Sequence, residues 1–174
     1  MENGQVHIYC GDGKGKTTAA IGLAVRCVGA GKKVYIGQFI KDMEYNEISI
    51  LRSLPAVTVE LYGSGSGCFI GRNPEKEDIA AAEEGLKKGK DVARSGDFDL
   101  VIMDEINIAC ALGLVKEEDM LEIIDSKNPK TELVFTGRGC PDAVLEKADL
   151  VTEMREVRHY YNTKKLLARD GIER

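Results

Sequence analysis

Short apolar runs alternate with longer amphipathic segments along the chain. The short runs are rich in β-branched and aromatic residues, as strands are, and the longer segments have helical spacing. The predicted strands are 6–10, 33–39, 56–62, 99–105, 131–139 (running into a loop) and 149–154. The predicted helices are 17–31, 45–54, 77–96, 117–126 and 142–148, followed by a tail from Arg155 that is first basic and aromatic and then helical. Strands that alternate with helices form right-handed βαβ units, so the pattern predicts an α/β fold, a mainly parallel sheet with helices on both faces.

Composition narrows the class of protein. The chain has 174 residues and no internal repeat, so we expect a single domain over 1–174. Its net charge of −5 does not favour binding to nucleic acid. Five cysteines, an odd number without a C-x-x-C pair, favour reduced thiols in the cytoplasm. The first residues lack the pattern of a signal peptide, and no uncharged apolar run approaches about 18 residues, so we expect neither a leader nor a membrane span.

The stretch CGDGKGKTTAA at 10–20 follows the first predicted strand and opens a helix. It is close to the phosphate-binding pattern G-x-x-x-x-G-K-[ST], but the first glycine comes one residue late, at Gly11, because Cys10 occupies the expected position. Backbone N–H groups at a helix N-terminus favour an anion. A dinucleotide fingerprint, G-x-G-x-x-G, fits less well because its third glycine would arrive one position early. The predicted phosphate-binding residues are Gly11, Asp12, Gly13, Lys14, Gly15, Lys16, Thr17 and Thr18.

Two further segments are predicted at the same sheet edge. DLVIMDE at 99–105 delivers Asp104 and Glu105 at the end of a buried strand, where an acid can hold Mg²⁺. Neighbouring strand residues point to opposite faces, so the two acids share a role only if the strand has already ended. FTGRGC at 135–140 places Arg138 after another strand, as a phosphate ligand or a surface arginine.

Two basic segments remain open to interpretation. Arg26, in the helix after the phosphate loop, is a candidate ligand or the member of a structural ion pair. VRHYYN at 157–162 is interpreted as a tail that docks on the core, with packing on a flat ligand or a partner chain as alternatives.

The motifs GDGKGKTTAAIGLA, VYIGQFIK, DLVIMDE and FTGRGC occur in an order that resembles the P-loop type of ATP:corrinoid adenosyltransferase, over nearly the whole chain. The resemblance implies a RecA-like P-loop NTPase fold, usually in a homodimer, with ATP and Mg²⁺ as co-substrates. It also implies a Co(I) corrinoid as acceptor and a reductase, of flavoprotein type, that supplies it. Cobalt would attack the 5′ carbon of ATP and triphosphate would leave whole, from a nucleotide that lies reversed in the loop.

By matching motif, the resemblance implies roles for particular residues. Lys16 and Glu105 would act in the reaction, and Thr17, Glu105 and Asp104 would contact Mg²⁺. Arg26 and Arg138 would lie around the nucleoside and phosphates. Relatives carry aromatic residues in the loop after the third strand to keep ligands off cobalt. This chain has no tryptophan, and its corresponding pair is Phe69 and Ile70, in the glycine-rich loop 63–74.

Two other functions compete with this interpretation. An ordinary P-loop NTPase or small-molecule kinase would also use Asp104 and Glu105, and a non-catalytic carrier of nucleotide or corrinoid would also use Phe69. The shortened loop and the absence of a recognisable acceptor-binding lid count against the ordinary NTPase or kinase.

Overall fold

The computed structural model describes residues 3–41, 43–64 and 73–173. Within these residues six parallel strands form one sheet in the order β3-β2-β4-β5-β1-β6. They are β1 (Val6–Cys10), β2 (Val34–Phe39), β3 (Val57–Tyr62), β4 (Leu100–Asp104), β5 (Glu132–Thr136) and β6 (Leu150–Glu153). The predicted α/β fold with a parallel sheet is confirmed, and each strand lies inside the range predicted for it.

Helices connect the strands and cover the sheet. They are α1 (Lys16–Gly29), α2 (Asn46–Ser53), α3 (Lys76–Ser95), α4 (Ile106–Ala111), α5 (Glu117–Ser126), α6 (Asp142–Glu146) and α7 (Tyr160–Lys164). The short helix α4 was not predicted. The tail differs from its prediction too, because its helix lies in the aromatic part and residues 165–169 have no regular structure. No helix in the described ranges is long and apolar enough to cross a membrane.

The sheet separates two apolar cores, as the alternation of side chains along β4 shows. Leu100 and Ile102 face the core that includes Ala20 and Ala24 of α1. Val101 and Met103 face the other core, which α3, α5 and α6 cover. Helix α3 packs closely on the sheet, since a Cβ atom at Gly89 would lie 2.3 Å from the Met103 methyl carbon. Helices therefore lie on both faces, as predicted.

The strand order brings chemically useful residues to one edge of the sheet. Strand β5 lies between β1 and β4, and all three strands are parallel. Their carboxyl ends therefore place the phosphate loop, Thr136 and Asp104 side by side, and β2 brings Lys41 to the same edge. In open α/β sheets this edge is where ligands bind.

Candidate nucleotide-binding site

The glycine-rich loop is shaped by contact with the end of β6. Gly11 and Gly15 have φ angles of 89° and 118°, in the left-handed region that favours glycine. The Gly13 N–H donates to the Met154 carbonyl at 2.6 Å, and a Cβ at Gly11 would lie 2.5 Å from that same oxygen. Cys10, in contrast, is the last residue of β1 and pairs with Glu153 of β6. The loop is one residue short because the position of the usual first glycine belongs to the strand.

Lys16 lies inside the loop. Its Nζ donates to the carbonyl oxygens of Gly11 and Gly13, both at 2.7 Å. The side chain is buried, and burial lowers the pKa of Lys16, which the nearby Glu105 carboxylate partly opposes. This ammonium group is held at the N-terminus of α1, where a phosphate would be bound.

Asp104 is buried and accepts four hydrogen bonds. Oδ1 accepts from the hydroxyls of Thr17 at 2.9 Å and Thr136 at 2.6 Å, while Oδ2 accepts from Gln38 Nε2 at 2.9 Å and Lys41 Nζ at 3.0 Å. Burial alone would raise the pKa of Asp104, but the Lys41 charge and these bonds outweigh it and hold the pKa below its usual value. Asp104 is thus a buried carboxylate rather than part of a solvated acidic turn.

Glu105 begins the turn into α4. Its φ of 62° shows that the strand has ended, and its N–H donates to the Thr136 hydroxyl at 2.9 Å. Glu105 and Asp104 consequently belong to the same site despite being adjacent in sequence. Burial, followed by the Asp104 charge, raises the pKa of Glu105.

A cavity of about 770 Å³ lies above these residues. Its walls include residues 12–18 of the loop, together with Lys41, Tyr45, Glu105 and Arg138. Pockets of about 300–1,000 Å³ hold small-molecule ligands, so this volume suits a nucleotide and part of a second substrate. The cavity combines cations suited to phosphates with apolar side chains such as Ile108 and Leu112.

The C-terminal tail also reaches this cavity. The sequence had left open whether the tail docks on the core or packs on a ligand or a partner chain. His159 and residues 171–173 line it. Lys14 Nζ of the phosphate loop donates to the Glu173 carboxylate at 2.7 Å and to the Ile172 carbonyl at 2.9 Å. Hydrogen bonds from Arg169 and Lys14 lower the pKa of Glu173. The tail therefore docks on the core at the phosphate loop itself.

The other predicted site residues differ in their distance from the phosphate loop. Arg138 is exposed but donates to the Asp12 carbonyl at 3.1 Å, so it does lie beside the loop. Arg26 lies in the last turn of α1, ten residues beyond Lys16 and thus about 15 Å along the helix axis, so the structure does not bring it to the cavity. Phe69 and Ile70 lie outside the described residues.

The site offers oxygen ligands to a metal. Thr17, Asp104 and Glu105 present a hydroxyl and two carboxylates, the ligand types that Mg²⁺ prefers. Across the ranges that the structure describes, no group of three or more His, Cys, Asp or Glu residues could hold a metal ion by itself. This arrangement fits a Mg²⁺ ion that takes most of its ligands from phosphates and water.

The glycine-rich loop between a strand and a helix, facing a buried aspartate on a second parallel strand, defines a P-loop nucleotide-binding protein. The solved structure of flagellar accessory protein FlaH from Methanocaldococcus jannaschii has this fold, with a TM-score of 0.59 at 16% identity over 88% of this chain and 72% of that one. The family of ATP:corrinoid adenosyltransferases BtuR/CobO/CobP matches residues 2–174, and the chain belongs to it.

Curated relatives agree with that assignment. The corrinoid adenosyltransferase of Escherichia coli (strain K12) is 34% identical over 162 residues, 92% of this chain and 81% of its own length. That of Pseudomonas aeruginosa is 34% identical over 173 residues, 99% of this chain and 84% of its own length. The corrinoid adenosyltransferase CobA of Salmonella typhimurium is 33% identical over 162 residues, 92% of this chain and 81% of its own length.

Proposed function

We propose that the protein transfers the 5′-deoxyadenosyl group of ATP to the Co(I) centre of a reduced corrinoid, cob(I)yrinic acid a,c-diamide or cob(I)alamin, and releases triphosphate, as a step of cobalamin biosynthesis. The observation that carries the proposal is the family match over residues 2–174, which includes every element of the site. The cavity supports it, because its volume of about 770 Å³ suits a nucleotide and part of a second substrate.

The residues around the cavity suit a triphosphate as the leaving group. The backbone of residues 11–18 would bind its oxygens, with Lys16 inside the loop and Lys14 and Arg138 at its rim. Mg²⁺ held by Thr17, Asp104 and Glu105 would neutralise further negative charge. We infer that the nucleotide lies with its terminal phosphate deepest in the loop and its ribose toward the corrinoid.

The proposed reaction needs no proton transfer at the nucleophile. The electron pair of Co(I) forms the bond to C5′, the C5′–O5′ bond breaks, and its electrons leave with the triphosphate. The protein's contribution is then to align C5′ with cobalt and to stabilise the charge that develops on the leaving oxygen. Lys16, held inside the loop at the far end of the triphosphate, would neutralise part of the charge of the leaving group, and it is in place before the reaction.

Further parts of the proposal rest on the family alone. Phe69 and Ile70 would face the corrinoid and exclude axial ligands from cobalt. A flavoprotein reductase would deliver Co(I), and the enzyme would act as a cytoplasmic homodimer. Arg26 is left out of the proposed nucleotide site because it lies at the far end of α1.

The test is a product analysis with purified protein, ATP, Mg²⁺ and chemically reduced cobalamin. We expect adenosylcobalamin and intact triphosphate in equal amounts, followed by visible absorbance and by phosphorus NMR. ADP and inorganic phosphate without an alkylated corrinoid would show an ordinary NTPase or kinase instead. Tight corrinoid binding without turnover would show a carrier.

A further inference from the structure

Lys41 makes contacts that set it apart from the other lysines around the cavity. Its Nζ lies 3.0 Å from Asp104 Oδ2 and 3.3 Å from Thr17 Oγ1, and 5.2 Å from the centre of the Tyr45 ring. Its side chain is only 18% exposed, yet it lines the cavity. The ammonium group thus contacts two of the three residues that the proposed function assigns to Mg²⁺.

The backbone before Lys41 is strained. Ile40, a β-branched residue, has a φ of 69°, and the Lys41 N–H donates to the Phe39 carbonyl at 2.7 Å, which closes a tight γ-turn around Ile40. A non-glycine residue in this region is strained and persists only where the surroundings hold it. The turn directs Lys41 back from the end of β2 toward Asp104 on the neighbouring strand.

We propose that Lys41 is a positioning residue that competes with Mg²⁺ for Asp104 and Thr17, so that the site accepts the metal only together with a triphosphate. Without a triphosphate, the ammonium group neutralises Asp104 and occupies its Oδ2. When Mg²⁺ enters with a triphosphate, the new phosphate oxygens give Lys41 another anionic partner within the same cavity, and Asp104 becomes free to bind the metal.

This inference rests on the Mg²⁺ site of the proposed function and predicts a coupling between two ligands. Removing the Lys41 charge should strengthen metal binding in the absence of a triphosphate, because a buried carboxylate loses its competing cation. The same change should weaken triphosphate binding, because one cation is lost. The two effects have opposite signs, whereas a loss of folding would weaken both.

The experiment uses Mn²⁺ as the metal, with free Mn²⁺ measured by electron paramagnetic resonance, and inorganic tripolyphosphate as the anion. Lys41→Met is compared with the wild type, with Lys41→Arg and with Lys90→Met. Lys90 of α3 is a matched control because it is also 18% exposed and also paired with carboxylates, those of Asp119 and Glu122 in α5. Circular dichroism checks the fold, and Lys41→Gln, which keeps an N–H donor for Asp104, replaces Lys41→Met if that variant does not fold.

For Lys41→Met we expect Mn²⁺ without tripolyphosphate to bind at least about tenfold more tightly than in the wild type, and tripolyphosphate to bind about tenfold more weakly. Lys41→Arg and Lys90→Met should match the wild type. The inference is overturned, and the proposed metal site stands, if Lys41→Met binds Mn²⁺ no more tightly than the wild type while the wild type still binds Mn²⁺ together with tripolyphosphate. No Mn²⁺ binding by the wild type even with tripolyphosphate would overturn the proposed metal site and the inference with it.

Discussion

Thr136 holds the two acids of the site in place, which makes it the most informative residue to change. Its fully buried hydroxyl donates to Asp104 Oδ1 at 2.6 Å and accepts the Glu105 N–H at 2.9 Å. Thr136→Val keeps the branched shape and removes both bonds. A hydrogen bond to a charged group contributes about 1.5–3 kcal/mol, and a buried N–H left without a partner costs about 1–3 kcal/mol. The added methyl group offsets about 1 kcal/mol.

We therefore expect Thr136→Val to lower the free energy of unfolding by about 3 kcal/mol. Thr131→Val is the matched control, at the residue directly before the same strand. Thr131 is also fully buried, but its hydroxyl donates only to the neutral Phe98 carbonyl at 3.0 Å, so its loss should cost about 1 kcal/mol.

Urea unfolding followed by circular dichroism measures both variants, and an unchanged slope against urea shows that stability alone has changed. Adenosyl transfer should fall in Thr136→Val, because Asp104 and Glu105 lose their alignment, and should be unaffected in Thr131→Val. The reasoning fails if the two variants are equally stable, or if Thr136→Val keeps full activity.

Three other predictions concern charges in the cavity. Lys16→Ala should abolish turnover in the adenosyl-transfer assay, because the triphosphate loses the ammonium group inside the loop; near-normal activity would refute its role. Folding raises the pKa of Glu105 above its value of about 4.5 in the unfolded chain. The charged carboxylate therefore lowers the free energy of unfolding by its full amount above the folded pKa, and has no such effect below about pH 4.5. Glu105→Gln should accordingly have a higher melting temperature than the wild type at about pH 8, and this gain should vanish toward about pH 4. Adenosyl transfer should fall in the same variant. A variant whose melting temperature equals that of the wild type at both pH values would contradict the assigned burial. Glu173→Gln removes a carboxylate from Lys14 and should lower the KM for ATP at low ionic strength but not in about 1 M salt; an unchanged KM would mean that the tail does not compete with phosphate.

Local patterns in the sequence were sufficient to predict the parallel sheet, the glycine-rich loop and the two acids at the end of β4. Strand ends are marked by apolar runs that stop at polar residues, and parallel strands bring those ends to one edge. The same reasoning predicted that Arg138 lies at this edge, where its guanidinium donates to the Asp12 carbonyl of the phosphate loop.

Features that depend on backbone conformation or long-range contact were not predictable. The shared role of Asp104 and Glu105 follows from a left-handed residue that ends the strand, and Lys41 is turned into the site by another left-handed residue, Ile40. Neither residue type favours that conformation, so the sequence carries no signal for it. The sequence indicated Lys41 only as the last residue of the VYIGQFIK motif, two residues after β2.

Distance along the chain was misleading at two positions. Arg26 is close to the phosphate loop in sequence, but a helix carries it away at about 1.5 Å per residue. Glu173 is 159 residues from Lys14 and yet contacts it. The short helix α4 was missed because it starts at Ile106, after an N-cap residue that makes no side-chain cap bond, and spans only six residues.

The central claim is that the bond broken in ATP is C5′–O5′ rather than a bond to phosphorus. A reaction of reduced cobalamin with ATP that carries a heavy oxygen isotope at the 5′ bridging position tests it directly. The products are separated, and their masses are measured by mass spectrometry. Adenosyl transfer predicts that all of the label leaves with the triphosphate. Label that stays on an adenine nucleotide, as ADP or AMP, would contradict the account.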